Sequence, residues 1–207
     1  MRTVSALIPQ IRCALDSKIS GGFHIFLHLN IVLVEPRIPQ NTGSIARTCA
    51  VTGASLHLVH PLGFKIDDAK LKRAGLDYWD KLDITHYENL DAFFAQHPQK
   101  TVQNPYFYFT AKTGTLYTEP CYPDETFLFF GREDFGLADD ILSAHPERCV
   151  RIPMRETLRC LNLSNSVSIA AYEVLRQHQF DGLTKDGRWA KAEWEPETPR
   201  AFDVSQT

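Results

Sequence analysis

The sequence predicts an α/β fold, a mostly parallel sheet flanked by helices, and three observations carry that prediction. Short apolar runs alternate along the chain with segments whose apolar residues recur at helical spacing. The first run, Leu29–Val34, is unbroken, which is the pattern of a strand buried on both faces. Prolines, glycines and asparagines stand at the boundaries where strands stop and helices begin or end.

In order, Leu29–Val34 is the first strand, and Pro36 and Pro39 hold an extended loop behind it. Asn41–Thr52 is a helix, with Asn41 expected as its cap and Gly53 at its end. Ser55–His60 is a second strand, stopped by Pro61. Asp67–Gly75 reads as a short basic helix carrying Lys70, Lys72 and Arg73, and Ile84–Tyr87 as a weak strand. Asn89 caps a helix reaching His97, with Pro98 beyond it. Tyr106–Thr110 and Thr126–Phe130 are aromatic-rich strands. Leu137–Ala144 is a helix, Cys149–Ile152 the last strand, and Leu163–Gln179 the last helix, capped by Asn162. That last helix has an unusually small face, Ser164, Ser166, Ser168, Ala170 and Ala171, over which another backbone can pass closely.

The 207 residues amount to one domain with tails. Residues 1–26 contain the break Ser20-Gly21-Gly22 and read as an upstream extension or a mis-assigned start, against the alternative of a helical arm built on Val4, Leu7, Ile8 and Ile11. Residues 27–183 form the domain, and 184–207 turn polar and read as a loose tail. Hydrophobic content of 43% and charged content of 23% are those of a soluble globular protein. The Phe23–Val34 run is too short and too interrupted to span a membrane, and no clean secretory cleavage site follows the basic start. Five cysteines without a C-x-x-C pair, and eight histidines without ligand spacing, argue for a reducing compartment, the cytoplasm, and against a disulfide framework or metal site. A net charge of −3 excludes a general nucleic-acid coating protein; an RNA partner must meet a local basic patch.

Three loops following strand ends carry the candidate chemistry, as expected where an α/β sheet places its ligands. The first is Glu35–Asn41, leading into P39-Q-N-T-G-S-I-A-R47; the second is G131-R-E-D-F-G136-L; the third is Pro153–Leu161, leading into R159-C-L-N-L-S-N-S-V. The second has glycines at Walker spacing, but Leu137-Ala138 stand where Lys-Ser/Thr must be, and there is no G-x-G-x-x-G. In this order the three segments resemble the signature motifs of the SPOUT class of RNA methyltransferases. The likeness runs from Leu29 to about Leu183 and is greatest to the tRNA (cytidine/uridine) 2′-O-methyltransferases that act on the wobble nucleotide of leucine tRNAs, with Ala69–Tyr78 adding to it.

The resemblance implies a deep trefoil knot at the C-terminus, S-adenosyl-L-methionine as cofactor, a homodimer, and leucine tRNA as partner. It implies methylation of the wobble ribose 2′-hydroxyl; alternatives are another tRNA position, ribosomal RNA, or a non-catalytic RNA-binding protein of the same fold. By position, Phe109, Gly131, Ile152, Cys160 and Leu161 correspond to cofactor-binding residues. Phe109 stands where an aliphatic residue is common, and Cys160 where serine is usual. Arg47 corresponds to the catalytic arginine: always charged, it suits a phosphate or a developing oxyanion better than proton abstraction. Tyr172 is either a nucleotide or proton contact or a packed tyrosine. Glu133 either accepts from ribose hydroxyls or favours the N-terminus of the helix that follows it. Asn41 and Asn162 fasten the loops. RNA contacts fall to Lys70, Lys72, Arg73, Arg155 and Arg159, and the chemistry needs no metal.

Overall fold

Alternation of side chains along each strand sorts the apolar residues into two cores, one on each face of a single sheet. The computed structural model describes residues 27–65, 82–98, 105–157 and 160–184. Six strands, β1 (His28–Val34), β2 (Ser55–Val59), β3 (Ile84–Tyr87), β4 (Tyr106–Phe109), β5 (Glu125–Phe130) and β6 (Cys149–Val150), lie in the order β3-β2-β1-β5-β4-β6. All five strand pairs are parallel, and the unbroken run Leu29–Val34 is buried on both faces as predicted. Ile31, Leu33, Leu56, Leu58, Leu128 and Phe130 face one core, where helices α1 (Pro39–Thr52) and α4 (Leu163–Gln177) cover them. Val32, Val59, Phe127, Phe129 and Tyr108 face the other, under α2 (Leu90–Gln96) and α3 (Asp139–Ala144).

Boundaries depart from the sequence expectation where local rules meet tertiary contacts. β6 ends at Val150; Arg151 adds only a single bridge, to Leu116, and Ile152 lies beyond the sheet. β2 stops at Val59, α3 starts at Asp139 and α4 ends at Gln177. Asn89 caps α2 as expected, its side chain accepting from the Ala92 N–H at 2.8 Å, and Gly53 ends α1 in the left-handed conformation, φ 75°. The 1–26 segment, the basic 67–75 segment and the tail after residue 184 lie outside the described residues.

His57 is buried, its Nδ1 2.9 Å from the Tyr87 hydroxyl and its Nε2 3.1 Å from Asn30 Oδ1. Burial lowers its pKa to about 4. His60 instead pairs with His86, 3.2 Å away at the surface. Among the described residues no helix is long and apolar enough to cross a membrane.

The strand order reverses between β1 and β5. β1 leads outward to β2 and β3 on one side, while β5 and β4 lie on the other. The crevice beyond the carboxyl ends of β1 and β5 is the place where such a sheet binds ligands.

Candidate functional site

Helix α1 begins earlier than a cap at Asn41 allows. Ile38, in extended conformation before Pro39, is the N-cap residue, and Pro39 is pre-organised for the first helical position. Ile38 has no side chain with which to cap, and no side chain of α1 itself does so. Glu133, from the loop after β5, supplies the acceptor instead. Its Oε2 accepts from the Arg37 N–H at 2.8 Å, and its Oε1 accepts from the Ile38 N–H at 3.1 Å and from Asn41 Nδ2 at 2.9 Å. An anion at a helix N-terminus completes orphan donors and opposes the helix dipole. Glu133 therefore serves the first helix of the domain and not the one following it, which carries Asp139 and Asp140 in its own first turn.

Asn41 is buried inside the first turn and joins two partners. Besides donating to Glu133, it accepts from Asn162 Nδ2 at 2.9 Å. Asn162 caps α4 as expected, its Oδ1 accepting from the Ser164 N–H at 3.0 Å, the Ser164 hydroxyl at 2.6 Å and the Asn165 N–H at 3.4 Å. One hydrogen-bonded line, Glu133–Asn41–Asn162–Ser164, thus lashes together the three motif loops. Seven residues past Asn41 and six past Asn162, the Thr48 and Ser168 hydroxyls meet at 3.1 Å. Two contacts at nearly equal offsets mean that α1 and α4 leave the junction side by side in the same direction. Arg47 and Tyr172, both exposed, ride on this pair, separated along the axes by roughly 7–8 Å at 1.5 Å rise per residue.

The second loop is a tight, closed turn. Arg132 and Gly136 exchange backbone hydrogen bonds, Arg132 N–H to Gly136 O at 3.2 Å and Gly136 N–H to Arg132 O at 2.7 Å. Gly136 has φ 78°. A Cβ at Gly131 would lie 2.0 Å from the Gly136 carbonyl carbon. The close approach that Gly131 permits is therefore made by the loop's own backbone. Arg132 holds Asp134 through both ends of its carboxylate, at 3.0 and 2.8 Å, which keeps that carboxyl below its ordinary range. Arg132 also lies 3.7 Å from Glu35, a non-glycine residue at φ 52° at the end of β1.

The cofactor candidates stand at neighbouring strand ends. Phe109 closes β4, buried, with its ring stacked on Phe130 at 4.7 Å. Gly131 follows β5, and half-buried Ile152 packs on the core just past β6. Cys160 and Leu161 are exposed immediately before the Asn162 cap, Leu161 by 37%. Ile152 and Leu161 add apolar side chains at the two ends of the third loop, one half-buried on the core and the other exposed. Arg155 is exposed on the third loop; Lys70, Lys72, Arg73 and Arg159 lie outside the described residues. Among the described residues, no three His, Cys, Asp or Glu side chains come together as a metal site. Sequence reasoning missed Phe135 and Lys112, which stand in the loops after β5 and β4 and meet each other there.

The model of the SpoU rRNA Methylase family matches residues 28–172. A Geobacillus stearothermophilus protein is 50% identical over 160 residues, covering 75% of this chain and 99% of its own. A Burkholderia pseudomallei tRNA (cytidine(34)-2′-O)-methyltransferase is 43% identical over 154 residues, covering 74% of this chain and 97% of its own. A solved structure described as giving insight into the 2-OH methylation of C/U34 on tRNA is 39% identical, with TM-score 0.69, over 74% of this chain and 98% of that one.

Proposed function

The chain belongs to the SpoU rRNA Methylase family, and from that premise we propose that it methylates the ribose 2′-hydroxyl of the wobble nucleotide, cytidine or uridine, in leucine tRNAs. The observation that carries the reading is the Glu133–Asn41–Asn162 line, which fixes three loops at the carboxyl ends of a parallel sheet. S-adenosyl-L-methionine supplies an electrophilic methyl group when bound. Ile152 and Leu161 would give its adenine apolar surface, and Phe109, Gly131 and Cys160 would hold it through backbone groups.

The chain's own residues position and polarise the target. Transfer requires the ribose oxygen aligned with the methyl carbon, so that the new O–C bond forms as the sulfonium S–C bond breaks with its electron pair left on sulfur, and the hydroxyl proton passes to water. Arg47 grips the target's phosphate in two-pronged fashion and stabilises negative charge developing on the oxygen. Tyr172, 48% exposed on the adjoining helix, contacts the nucleotide. Arg155, together with Lys70, Lys72, Arg73 and Arg159, holds the RNA backbone.

The protein acts as a cytoplasmic homodimer in this reading. Gln40, Ser44, Arg47 and Val51 line the exposed side of α1 at helical spacing, and Asn165, Ile169, Tyr172 and Arg176 do so on α4. This paired face, with Val51 54% and Ile169 37% exposed, supports docking against a second copy. The trefoil knot is supported by the small face of α4, half-buried at Ser164, Ser166 and Ser168 and buried at Ala170 and Ala171, and by the 117–124 loop. That loop clasps the end of α4 through Gln177 Nε2 to Pro120 O at 3.0 Å and Tyr122 N–H to Gln177 Oε1 at 3.1 Å.

The test is nucleoside mass spectrometry of leucine tRNA after incubation with the purified protein and S-adenosylmethionine, with sizing alongside. A 2′-O-methyl group at the wobble position and a dimer are expected. Methyl transfer only to ribosomal RNA or to another tRNA position, or none at all, would overturn the assignment.

A further inference from the structure

Phe135 is 63% exposed, the largest exposure among the bulky apolar side chains described. It stands at the tip of the turn between β5 and α3, where a polar residue costs nothing and an aromatic one costs hydration. The turn does not let it fold away. The Arg132–Gly136 exchange and the Gly131–Gly136 backbone contact fix both ends, and Arg132 ties down Asp134 beside it. Lys112, from the loop after β4, places its ammonium 5.8 Å from the ring centroid while paired with Asp139. Lys112 and Asp139 also line an open hollow of about 320 Å³ with a mixed wall, Thr110, Thr113 and Ser143 standing with Leu142, Pro146 and Cys149. Glu133, two residues before Phe135, is part of the lash that holds the three loops.

A fixed, solvent-facing aromatic ring beside a cation matches what single-stranded RNA offers, a base with a π-face and an attached phosphate. We propose that Phe135 and Lys112 form a nucleotide platform, on which the ring stacks a base flanking the target nucleotide while Lys112 meets the adjoining phosphate. Asp134 is held by Arg132, whereas Asp139 is paired with Lys112 itself; that ion pair is exposed and weak, so Lys112 exchanges it for the phosphate. The platform rests on the RNA reading above and adds to it a contact that selects for an unpaired, stackable base.

The test uses the full-length protein and an anticodon stem-loop of a leucine tRNA, with dissociation constants measured at one fixed salt concentration. Base–aromatic stacking sets the expectation that Phe135→Ala weakens binding about 5- to 150-fold. Phe135→Tyr should bind like the parent, and Phe135→Leu should bind nearly as poorly as Ala. S-adenosylmethionine binding should change less than about twofold, an estimate resting on the ring's place outside the cofactor loops' apolar surface. Lys112→Ala should lower the slope of log affinity against log salt by about 0.7–0.9. Replacing the stacked flanking nucleotide by an abasic one should remove the effect of Phe135→Ala. Phe135→Ala or Phe135→Leu binding as tightly as the parent overturns the platform, and so does a changed oligomeric state in Phe135→Ala, which would place the ring against a second copy. If the parent methylates the RNA while Phe135→Ala binds it normally, only the platform falls. If the parent neither binds nor methylates it, the functional reading falls first and the platform with it.

Discussion

Replacing Glu133 by glutamine isolates what its carboxylate does. The carboxylate takes three donors, two backbone N–H groups at the start of α1 and the amide of Asn41. Hydrogen bonds to a charged group contribute roughly 1.5–3 kcal/mol each, so a naive sum reaches about 4.5–9 kcal/mol. That sum is too large, because Ile38 is exposed and Arg37 half-buried, and water can serve both N–H groups once the acceptor is lost. In Glu133→Gln the side-chain oxygen can keep the Ile38 and Asn41 bonds, but its NH₂ then faces the Arg37 N–H, donor against donor. The expected loss is one charge-assisted bond at the low end, about 1.5 kcal/mol. Removing an anion from a helix N-terminus adds roughly 0.3–1 kcal/mol. The total is about 2 kcal/mol. Glu133→Ala should cost more, about 3 kcal/mol, because buried Asn41 loses its acceptor outright.

The assay is urea unfolding, read as a lowered midpoint at unchanged slope. A double-mutant cycle with Asn41→Ala should show coupling of at least about 0.5 kcal/mol, since the two side chains share a bond. Strict additivity would refute the lash. Parent-like stability with lost S-adenosylmethionine binding would refute it differently, by showing that the carboxylate serves the cofactor's ribose and not the helix.

Three further outcomes are expected. Gly131→Ala should destabilise the fold by about 2 kcal/mol or more and abolish cofactor binding, because its Cβ would sit 2.0 Å from backbone that cannot yield, and calorimetry and melting together check this. For His57, a folded pKa of about 4 against 6.5 unfolded means that the unfolded chain takes up the proton first as pH falls. Stability should be full above pH 6.5 and decline by about 3 kcal/mol toward pH 4, and His57→Gln should remove that part of the slope in urea titrations at each pH. Arg47→Ala should slow single-turnover methylation about a hundred- to a thousandfold and leave cofactor binding intact, with Arg47→Lys rescuing little because it loses the two-pronged geometry. Near-parent turnover would return Arg47 to the ordinary surface.

The first strand was legible because burial on both faces leaves an unbroken apolar run, and the last helix because Asn162 caps it. The start of α1 was not, for a definite reason. Capping rules look a few residues ahead, whereas the acceptor for this helix lies 92 residues away from Asn41 in sequence. Asn41 looked like a cap because asparagine, before an apolar-periodic stretch, usually is one. Only the tertiary meeting of three loops shows that its two-sided amide is needed as a bridge, donating to one loop and accepting from another. Gly131 was legible as a place of close approach, but not which backbone approaches, since the partner depends on how the turn to Gly136 closes.

The lash also explains why the site's parts should respond to mutation in two separate groups. α1 and α4 start from the same Asn41–Asn162 junction and run together, so Arg47 and Tyr172 inherit their positions from it. Cys160 and Leu161 lie just before Asn162, so the third loop's apolar surface is set by the same bond. Loosening Glu133, Asn41 or Asn162 should therefore disturb the residues proposed for catalysis and those proposed for the cofactor at once, and turnover and cofactor affinity should fall together. Phe135 sits on the same turn as Glu133 but points none of its contacts into the lash, its partner being Lys112 on another loop. Its loss should appear in RNA affinity alone. A variant of Glu133 that harmed only RNA affinity, or one of Phe135 that harmed cofactor affinity, would show that the turn moves as one body and that this division is wrong.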